Sequence, residues 1–218
     1  MSGNRSFLAL FFDAPLLSFG GESKFDRRDT LGFPSRGAVT GLVAAALGID
    51  WRDRAGLARL AELAMVSIAF PGAPGTLLTD YHTVGGGYPK SSLRKVPVSA
   101  EGSSRKTVVT TRAYLADGKF AAILSGDSAF LTEIGEALRN PVWGGWIGRK
   151  HCIPATPVFQ GVFDTESGAL ETLCSLAGDR TPRIWEECAP DTPGAMLYSD
   201  TPVDFSRRKF RLRAVMER

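Results

Sequence analysis

An uninterrupted apolar run near the start of the chain most strongly limits its fold. Residues 6–12 read SFLALFF, which is the length of one strand and lacks the alternation expected of a half-exposed strand. Such a run is consistent with a strand buried on both faces. We therefore predict a core strand here and not a secretion signal, since no longer apolar stretch or small-residue cleavage site is present.

The patterns that follow predict an α+β fold. A helix opens at residues 34–37, presents an apolar face through Val39, Leu42 and Val43, and ends at Gly48. The other predicted elements of this part are a weaker helix over 51–64, a strand over 65–70 with an antiparallel partner over 76–84, strands over 106–115 and 120–124, and a helix over 128–139 capped by Asp127. This order is compatible with a ferredoxin-like (RRM-like) core.

The last part of the chain has a different character. After Val142, short strands alternate with Pro and Gly turns, and helix signals nearly vanish. Strands are predicted over 196–198, 203–205 and 210–215. We therefore divide the chain into a core at 1–140, which includes a long basic insertion at 85–106, and a small β-rich C-terminal region at 141–218.

Positive charge is concentrated in two short stretches. Residues 90–112 and residues 207–218 each contain six cations and one acid, although the net charge of the whole chain is only +3. The rest of the chain is therefore acidic. A slightly acidic body with two basic segments is typical of a protein that binds a polyanion, although basic segments are also often plain solvated surface.

The first basic stretch lies in a long segment without a regular pattern. Glycines 85–87, two prolines and several serines surround its cations, and loops of this length are usually functional or disordered. Single-stranded RNA needs cations for its backbone and aromatic planes for its bases. The candidate RNA contacts here are Tyr88, Lys90, Arg94, Lys95, Arg105, Lys106 and Arg112. Tyr88 is equally consistent with a loop anchor.

Further candidate RNA contacts lie outside the insertion. Two of them stand at a helix start, where free N–H groups and the helix dipole favour a phosphate, although a plain helix cap is an equally good interpretation. These candidates are Arg27, Arg28, Ser35, Arg36, Arg149 and Lys150. Trp143 and Trp146, which neighbour the last two, are expected to be core residues.

Composition limits the class of protein further. No window approaches the roughly 18 apolar residues that a membrane-spanning helix needs, so we expect no membrane partner. Three widely spaced cysteines suit free thiols in a reducing compartment, so we expect a cytoplasmic protein. With two histidines and no close cysteine pair, we expect no metal site, and no pattern indicates a cofactor.

Five blocks in order along the chain resemble one known family. They read TLGFPSRGAVTGLVAAALGI at 30–49, TDYHTV at 79–84, RAYLADGKF at 112–120, GRKHCIPATP at 148–157 and YSDTPVDF at 198–205, followed by an arginine-rich tail. Together they resemble the CasD subunits of Cascade, the complex of type I CRISPR systems, within the RAMP superfamily. The resemblance runs from about residue 7 to about residue 213, and GRKHCIPATP is its most specific block.

This resemblance implies a non-catalytic RNA-binding subunit of a type I-E-like complex. It implies that the protein caps the 5′ end of the CRISPR RNA, binds the repeat-derived 5′ handle, and packs against a CasC-type backbone subunit and a CasA-type large subunit. Target DNA is then reached only through the complex. It also implies a thumb-like projection, which corresponds to the basic segment at 85–106.

The residue types also leave an enzymatic alternative open. Some relatives cut repeat RNA without a metal, using His as general acid or base with support from Lys and Tyr. This chain has Tyr81, His82, Lys150 and His151, and His151 stands where the resemblance leads us to expect a small polar residue. The interpretation of both histidines as hydrogen-bonded structural residues is favoured over a metal-independent endoribonuclease.

Overall fold

The structure of the protein is a computed structural model, which describes residues 5–21, 23–24, 26–72, 75–84, 108–204, 207 and 209–218. The strands are β1 Arg5–Asp13, β2 Leu16–Leu17, β3 Ser23–Lys24, β4 Arg27–Arg28, β5 Ala64–Ala69, β6 Thr76–Val84, β7 Val108–Ala116, β8 Lys119–Asp127, β9 Phe159–Phe163, β10 Arg183–Glu187, β11 Met196–Asp204 and β12 Lys209–Glu217. The helices are α1 Arg36–Leu47, α2 Arg54–Ala61, α3 Ser128–Arg139 and α4 Glu166–Leu176. The predicted α+β class is confirmed.

The main sheet has seven strands in the order β11-β12-β10-β5-β8-β1-β9. Strand β1 lies inside this sheet and pairs antiparallel with β8 and β9. Its side chains alternate between two cores: Leu8 and Leu10 pack with residues of α1, α2 and α3, whereas Ala9 and Phe11 pack with residues of α4. The prediction of a first strand buried on both faces is confirmed.

A smaller sheet is built around β7. Strand β6 pairs with β7 along its whole length, β2 also pairs with residues 115–116 of β7, β4 also pairs with residues 111–112, and β3 pairs with β4. The expected pairing of 76–84 with 65–70 is wrong, because β5 pairs with β8 and β10 instead. Strand β5 is apolar and mostly buried, which suits the main sheet, whereas β6 is exposed along residues 76–83.

The C-terminal part contributes to the main sheet. Strand β9 forms one edge, and β10, β12 and β11 continue the sheet beyond β5 on the other side. Residues on both sides of the predicted boundary at 140/141 therefore share one sheet, and the division does not coincide with a separate β-layer. Helix α4 was not predicted, because it buries only Ala169 and Leu173 and so shows a narrow apolar face.

Local sequence signals set most helix ends. Asp127 caps α3 by accepting a hydrogen bond from the Phe130 N–H, as predicted. Gly48 ends α1 in the left-handed conformation with φ 71°. No helix among the described residues is long and apolar enough to cross a membrane. The three cysteines are free thiols, and burial raises the pKa of Cys152.

Candidate nucleic-acid interface

Arg149 joins the turn at 148–152 to the smaller sheet. Its guanidinium donates hydrogen bonds to the carbonyl oxygens of Ala113 on β7 (2.8 Å) and Arg28 on β4 (3.0 Å). The guanidinium carbon lies 4.4 Å from the ring centre of the buried Tyr114, which is a cation–π distance. Arg149 therefore positions the turn against β4 and β7, in addition to placing positive charge there.

Gly148 allows this turn to lie close to the segment after β2. Its φ is +83°, and a Cβ atom at this position would lie 1.7 Å from the carbonyl oxygen of Ser18. The turn is closed by hydrogen bonds between Ile147 and Cys152 and between Cys152 and Arg149, both 2.8 Å. Only glycine fits the required conformation and the close approach, which gives a physical reason for the start of the GRKHC block.

Three of the predicted RNA contacts come together around this junction. Strand β4 runs parallel to β7 with Arg28 opposite Arg112, and the Arg149 guanidinium bridges the same two strands. Of the other candidates, Arg27 neighbours Arg28 on β4 and therefore points to the other face, and Lys150 follows Arg149 in the chain with its ammonium 5.7 Å from the Trp146 ring centre. Arg27 and Lys150 are exposed, and the other three are half-buried. Asp80 lies opposite Arg112 in the register of β6 and β7, and Asp26 and Asp29 flank Arg27 and Arg28 in the chain, so carboxylates partly offset these cations.

Two histidines line the same surface. The rings of His82 and His151 have their centres 6.4 Å apart, and His151 lies edge-on to Tyr114 at 5.0 Å. Both histidines, together with Asp80, line a cavity of about 450 Å³. Sequence reasoning missed this proximity because His82 is on β6 and His151 is in the distant turn, and no local pattern connects them.

Electrostatic effects on His151 report the positive potential at this site. Partial burial lowers the pKa of His151, and the neighbouring Arg149, His82 and Arg112 lower it further, against a raising effect of Asp80. Burial is the largest of these effects on the pKa of His151, and each of the three cationic neighbours acts on it more strongly than Asp80 does. A surface with this potential favours an anionic ligand such as a phosphate.

The helix-start candidates have a different environment from the one expected. Ser35 is fully buried and caps α1, and the N–H of Arg36 donates to the Asp200 carboxylate at 2.8 Å. The buried Arg36 side chain donates to Glu187 (Nε to Oε1, 2.9 Å) and to the Leu63 carbonyl oxygen. A protein carboxylate thus occupies the position expected for a phosphate, which contradicts an RNA contact at Ser35 or Arg36.

The second basic stretch is partly neutralised within the protein. Arg213 is buried and donates to both carboxylate oxygens of Asp200, at 2.9 and 2.6 Å. Arg218 pairs with Glu166 and with Glu186. In the described part of this stretch, Arg207, Lys209 and Arg211 are the exposed cations without such an ion pair.

Two sets of predictions remain: the RNA contacts of the basic insertion and the core position of Trp143. Tyr88, Lys90, Arg94, Lys95, Arg105 and Lys106 lie outside the described residues, in the segment that connects β6 to β7. Trp143 is 44% exposed, so its expected place in the core is wrong. Its N–H bonds to the Ala45 carbonyl oxygen at the end of α1, which holds it at the outside of the helix layer.

Together these features define the class: an α+β chain whose small second sheet carries a cationic surface. A family model described as CRISPR-associated protein (Cas_Cas5) matches residues 7–216. The chain belongs to this family, and the family predicted from the five blocks is confirmed.

Comparisons with individual proteins agree with this family assignment. The chain is 29% identical over 167 residues to the CRISPR system Cascade subunit CasD of Escherichia coli (strain K12), covering 72% of this chain and 71% of that protein. It is also similar to a chain of a solved CRISPR RNA-guided surveillance complex, with 27% identity and a TM-score of 0.77 over 97% of this chain and 89% of that chain. A solved structure described as a Cas protein has 28% identity and a TM-score of 0.70 over 97% of this chain and 93% of that chain.

Proposed function

We propose that this chain is a non-catalytic subunit of a CRISPR RNA-guided surveillance complex and binds the repeat-derived 5′ handle of the CRISPR RNA. The observation that carries the proposal is the proximity of Arg28, Arg112 and Arg149 at the β4–β7 junction, with Lys150 next to Arg149 in the chain. The basic segment at 85–106 lies in the sequence between β6 and β7, two strands of this same sheet. Family membership and the similarity to a chain of a surveillance complex support it.

The arrangement of the main sheet supports a related structural proposal. We infer that β9, β1, β8 and β5 form a ferredoxin-like core. Strand β8 lies between β1 and β5, helices α1 and α2 connect β1 to β5, and α3 connects β8 to β9. This is the order of a β-α-β-β-α-β unit, in which β2, β3 and β4 of the smaller sheet lie between the first strand and the first helix, and β6 and β7 between the second and third strands.

The cationic surface suits a single-stranded RNA handle. Arg112 and Lys150 supply charge for phosphates, and Arg149 keeps its stacking partner Tyr114 beside the cavity of the two histidines. We propose that the segment at 85–106 clasps the handle from the open side through its cations. Backbone charge contributes most of the affinity in such interfaces, and polar groups add selectivity. The partners in this proposal are a CasC-type backbone subunit and a CasA-type large subunit in the cytoplasm.

Fluorescence anisotropy with labelled repeat-handle RNA tests the proposal. The purified chain is expected to bind this RNA more tightly than a scrambled RNA of equal length, without cutting it. Charge reversal by Lys90→Glu, Arg94→Glu and Lys95→Glu is expected to weaken binding and to flatten its dependence on salt. The matched control is Arg52→Glu, which reverses an exposed cation outside the interface. Unchanged affinity of the triple variant at low salt would show that the insertion does not bind the handle.

A second candidate function is a metal-independent endoribonuclease for precursor CRISPR RNA. The specific observation in its favour is the pair His82 and His151, 6.4 Å apart between ring centres in a cationic cavity. One imidazole removes a proton from a 2′-hydroxyl and the other donates one to the leaving 5′-oxygen in such a reaction. Lys150 is exposed beside them for the phosphate.

Incubation of labelled repeat RNA with the protein in EDTA separates the two functions. Under the favoured proposal the RNA stays intact. A discrete product that is lost in both His82→Ala and His151→Ala, and lost when a 2′-deoxy nucleotide replaces the one at the cut, would establish the enzyme instead.

A further inference from the structure

The smaller sheet has a second face, opposite the one that carries Arg112 and His82. Residues that lie opposite each other in a strand register point to the same side of the sheet, and their neighbours in the chain point to the other side. Tyr81 on β6 lies opposite Thr111 on β7, and Thr111 lies opposite Arg27 on β4. These three side chains therefore form one row across three strands of the second face, and we name them the Tyr81 row.

The ring of Tyr81 is directed into solvent. Its exposed fraction of 72% is the largest among the exposed large hydrophobic side chains of the described residues. Because His82 is its neighbour on β6, Tyr81 points away from the cavity that His82 and His151 line, and it does not border that cavity. The ring belongs neither to a core cluster nor to the histidine site, so its flat faces are open to a ligand.

Arg27 adds positive charge to the same face. Its side chain is exposed, and no described acid forms an ion pair with it. Asp26 and Asp29 flank β4 in the chain, and the carbonyl oxygen of Asp26 accepts the Thr111 N–H at 2.7 Å, which holds β4 against β7 at this row. No Asp or Glu stands at the described positions of β4, β6 and β7 that share this face. The cation is therefore available to an anion.

The spacing of the row suits one nucleotide of a single strand. Neighbouring strands lie about 4.8 Å apart, so the backbones of Tyr81 and Arg27 are about 10 Å apart. A base stacked on the tyrosine ring then has a phosphate within reach of the long, flexible arginine side chain. Thr111 lies half-buried between them and offers a hydroxyl to the sugar or the phosphate.

The geometry points to a second nucleic-acid contact at the Tyr81 row, where one base of a single-stranded polynucleotide stacks on Tyr81 and a phosphate of that strand binds Arg27. The inference goes beyond the proposed function, which assigns the handle to the opposite face. Two strands have the required chemistry: the CRISPR RNA outside its handle and an unpaired strand of the target DNA. An exposed aromatic plane beside a cation is how proteins bind single strands without reading their sequence.

The make-up of this face favours a nucleic acid over a protein. In its described part, the other exposed large apolar side chains are Val109, next to the row, and Leu77, which lies about 13 Å from Tyr81 along β6. The centre of a protein interface is instead a continuous apolar patch that is depleted in charge. An aromatic ring in one row with a hydroxyl and an unpaired guanidinium matches the base, sugar and phosphate of a nucleotide.

Fluorescence anisotropy with labelled strands of about 12 nucleotides, one of RNA and one of DNA, tests the inference. Both strands have a mixed sequence without the handle. Tyr81→Leu keeps an apolar side chain without the flat ring and is expected to weaken binding of at least one strand about fivefold to a hundredfold, the effect of losing one stacked base. Tyr81→Trp is expected to retain wild-type affinity, and Arg27→Gln to reduce the slope of log K against log salt by about 0.7. The matched control is Trp51→Leu, an exposed aromatic residue beside Arg52, which is expected to change nothing.

Repeating the measurements in the variant Arg112→Glu with Lys150→Glu separates the two nucleic-acid surfaces. Tyr81→Leu is expected to weaken binding by the same factor in this background, because the two surfaces act independently. Equal affinity of the wild type and Tyr81→Leu for both strands overturns the inference and leaves handle binding intact. Absence of any preference for handle RNA, together with an intact effect of Tyr81→Leu, contradicts the proposed function alone.

Photo-crosslinking in the assembled complex identifies the strand, and it also decides the inference if Tyr81→Leu does not fold. A benzophenone amino acid at position 81 keeps an aromatic side chain and is introduced into a complex that holds CRISPR RNA and target DNA. A crosslink to RNA or to DNA supports the inference and names the strand that the row binds. A crosslink to a protein subunit alone, or no crosslink, overturns it.

Discussion

Two arginine-rich regions of this protein have opposite environments. At the start of α1, Arg36 and Arg213 are buried and face the carboxylates of Glu187 and Asp200. At the β4–β7 junction, Arg28 and Arg112 lie beside each other on a half-exposed surface, and none of the nearby acids Asp26, Asp29 and Asp80 forms an ion pair with either arginine. The first region is an internal charge network that connects α1 to β10, β11 and β12, whereas the second can attract an anion.

The difference shows what decides the role of an arginine. Asp200 lies on β11 and Glu187 on β10, far along the chain from Arg36. No local sequence pattern therefore indicates that these carboxylates will neutralise Arg36. Burying a charge is costly unless it is paired, which explains why the buried arginines have carboxylate partners. An exposed arginine has no such requirement and remains available to a ligand.

The largest expected effect follows from removing a carboxylate of the buried network. Asp200→Ala leaves Arg213 and the Arg36 N–H without their main acceptor, and breaking a buried ion pair costs about 3–5 kcal/mol. Urea unfolding measures this loss. The control is Glu133→Ala, which removes a half-exposed pair with Arg59 and is expected to cost less than about 1 kcal/mol. Equal losses for the two variants would contradict the assignment of Asp200 to a buried network.

The next largest effect on stability is expected at the turn of residues 148–152, which contributes Arg149 to the cationic surface. Gly148→Ala forces a Cβ atom against the Ser18 carbonyl oxygen in addition to the left-handed strain, and is expected to cost well over about 1 kcal/mol and to weaken RNA binding. Gly178→Ala is the matched control, since Gly178 has φ +80° but open space around its Cβ position. Thermal unfolding of both variants, with anisotropy on the folded protein, measures the difference. If the two cost the same, close approach to Ser18 is not the reason for Gly148.

Charge reversal at the cationic surface is expected to have a moderate effect on RNA and little effect on stability. Arg112→Glu with Lys150→Glu is expected to weaken binding of handle RNA about tenfold or more and to reduce the slope of log K against log salt by about 0.7 for each lost phosphate contact. Salt titration by anisotropy measures both quantities. The opposite pattern, with unchanged binding and a large loss of stability, would place these two residues in the same class as Arg36.

The smallest expected effect concerns pH. Because the pKa of His151 is lowered in the folded state, the unfolded chain binds the proton more readily, and stability falls as pH drops below about 6.5. The variant His151→Gln removes this contribution, so its melting temperature is expected to fall less between pH 7 and pH 5. His151 is exposed, which keeps the difference small. A steeper pH dependence in the variant would show that the cationic neighbours do not act on this ring.

Much of the fold was predictable from local signals. The apolar run at 6–12, the capped helix after Asp127 and the glycine that ends α1 each became the predicted element. Pairing was harder, because the Pro-Gly turn after β5 suggested a hairpin, whereas both edges of β5 are taken by β8 and β10. Strands of the last part were predicted as short separate pieces, and the structure joins two of them into β11 with two register shifts.

The sequence by itself determined the family, the α+β class, the order of the main elements up to α3 and the residue types available at the candidate site, since these depend on spacing and local chemistry. The tertiary structure alone decided which arginines face carboxylates and which face solvent, and that His82 and His151 share one cavity. It also decided that the C-terminal strands complete the main sheet. The physical reason is that charge compensation, strand pairing and the burial of an apolar face depend on contacts between residues that are distant in the chain. No local sequence pattern indicates these contacts.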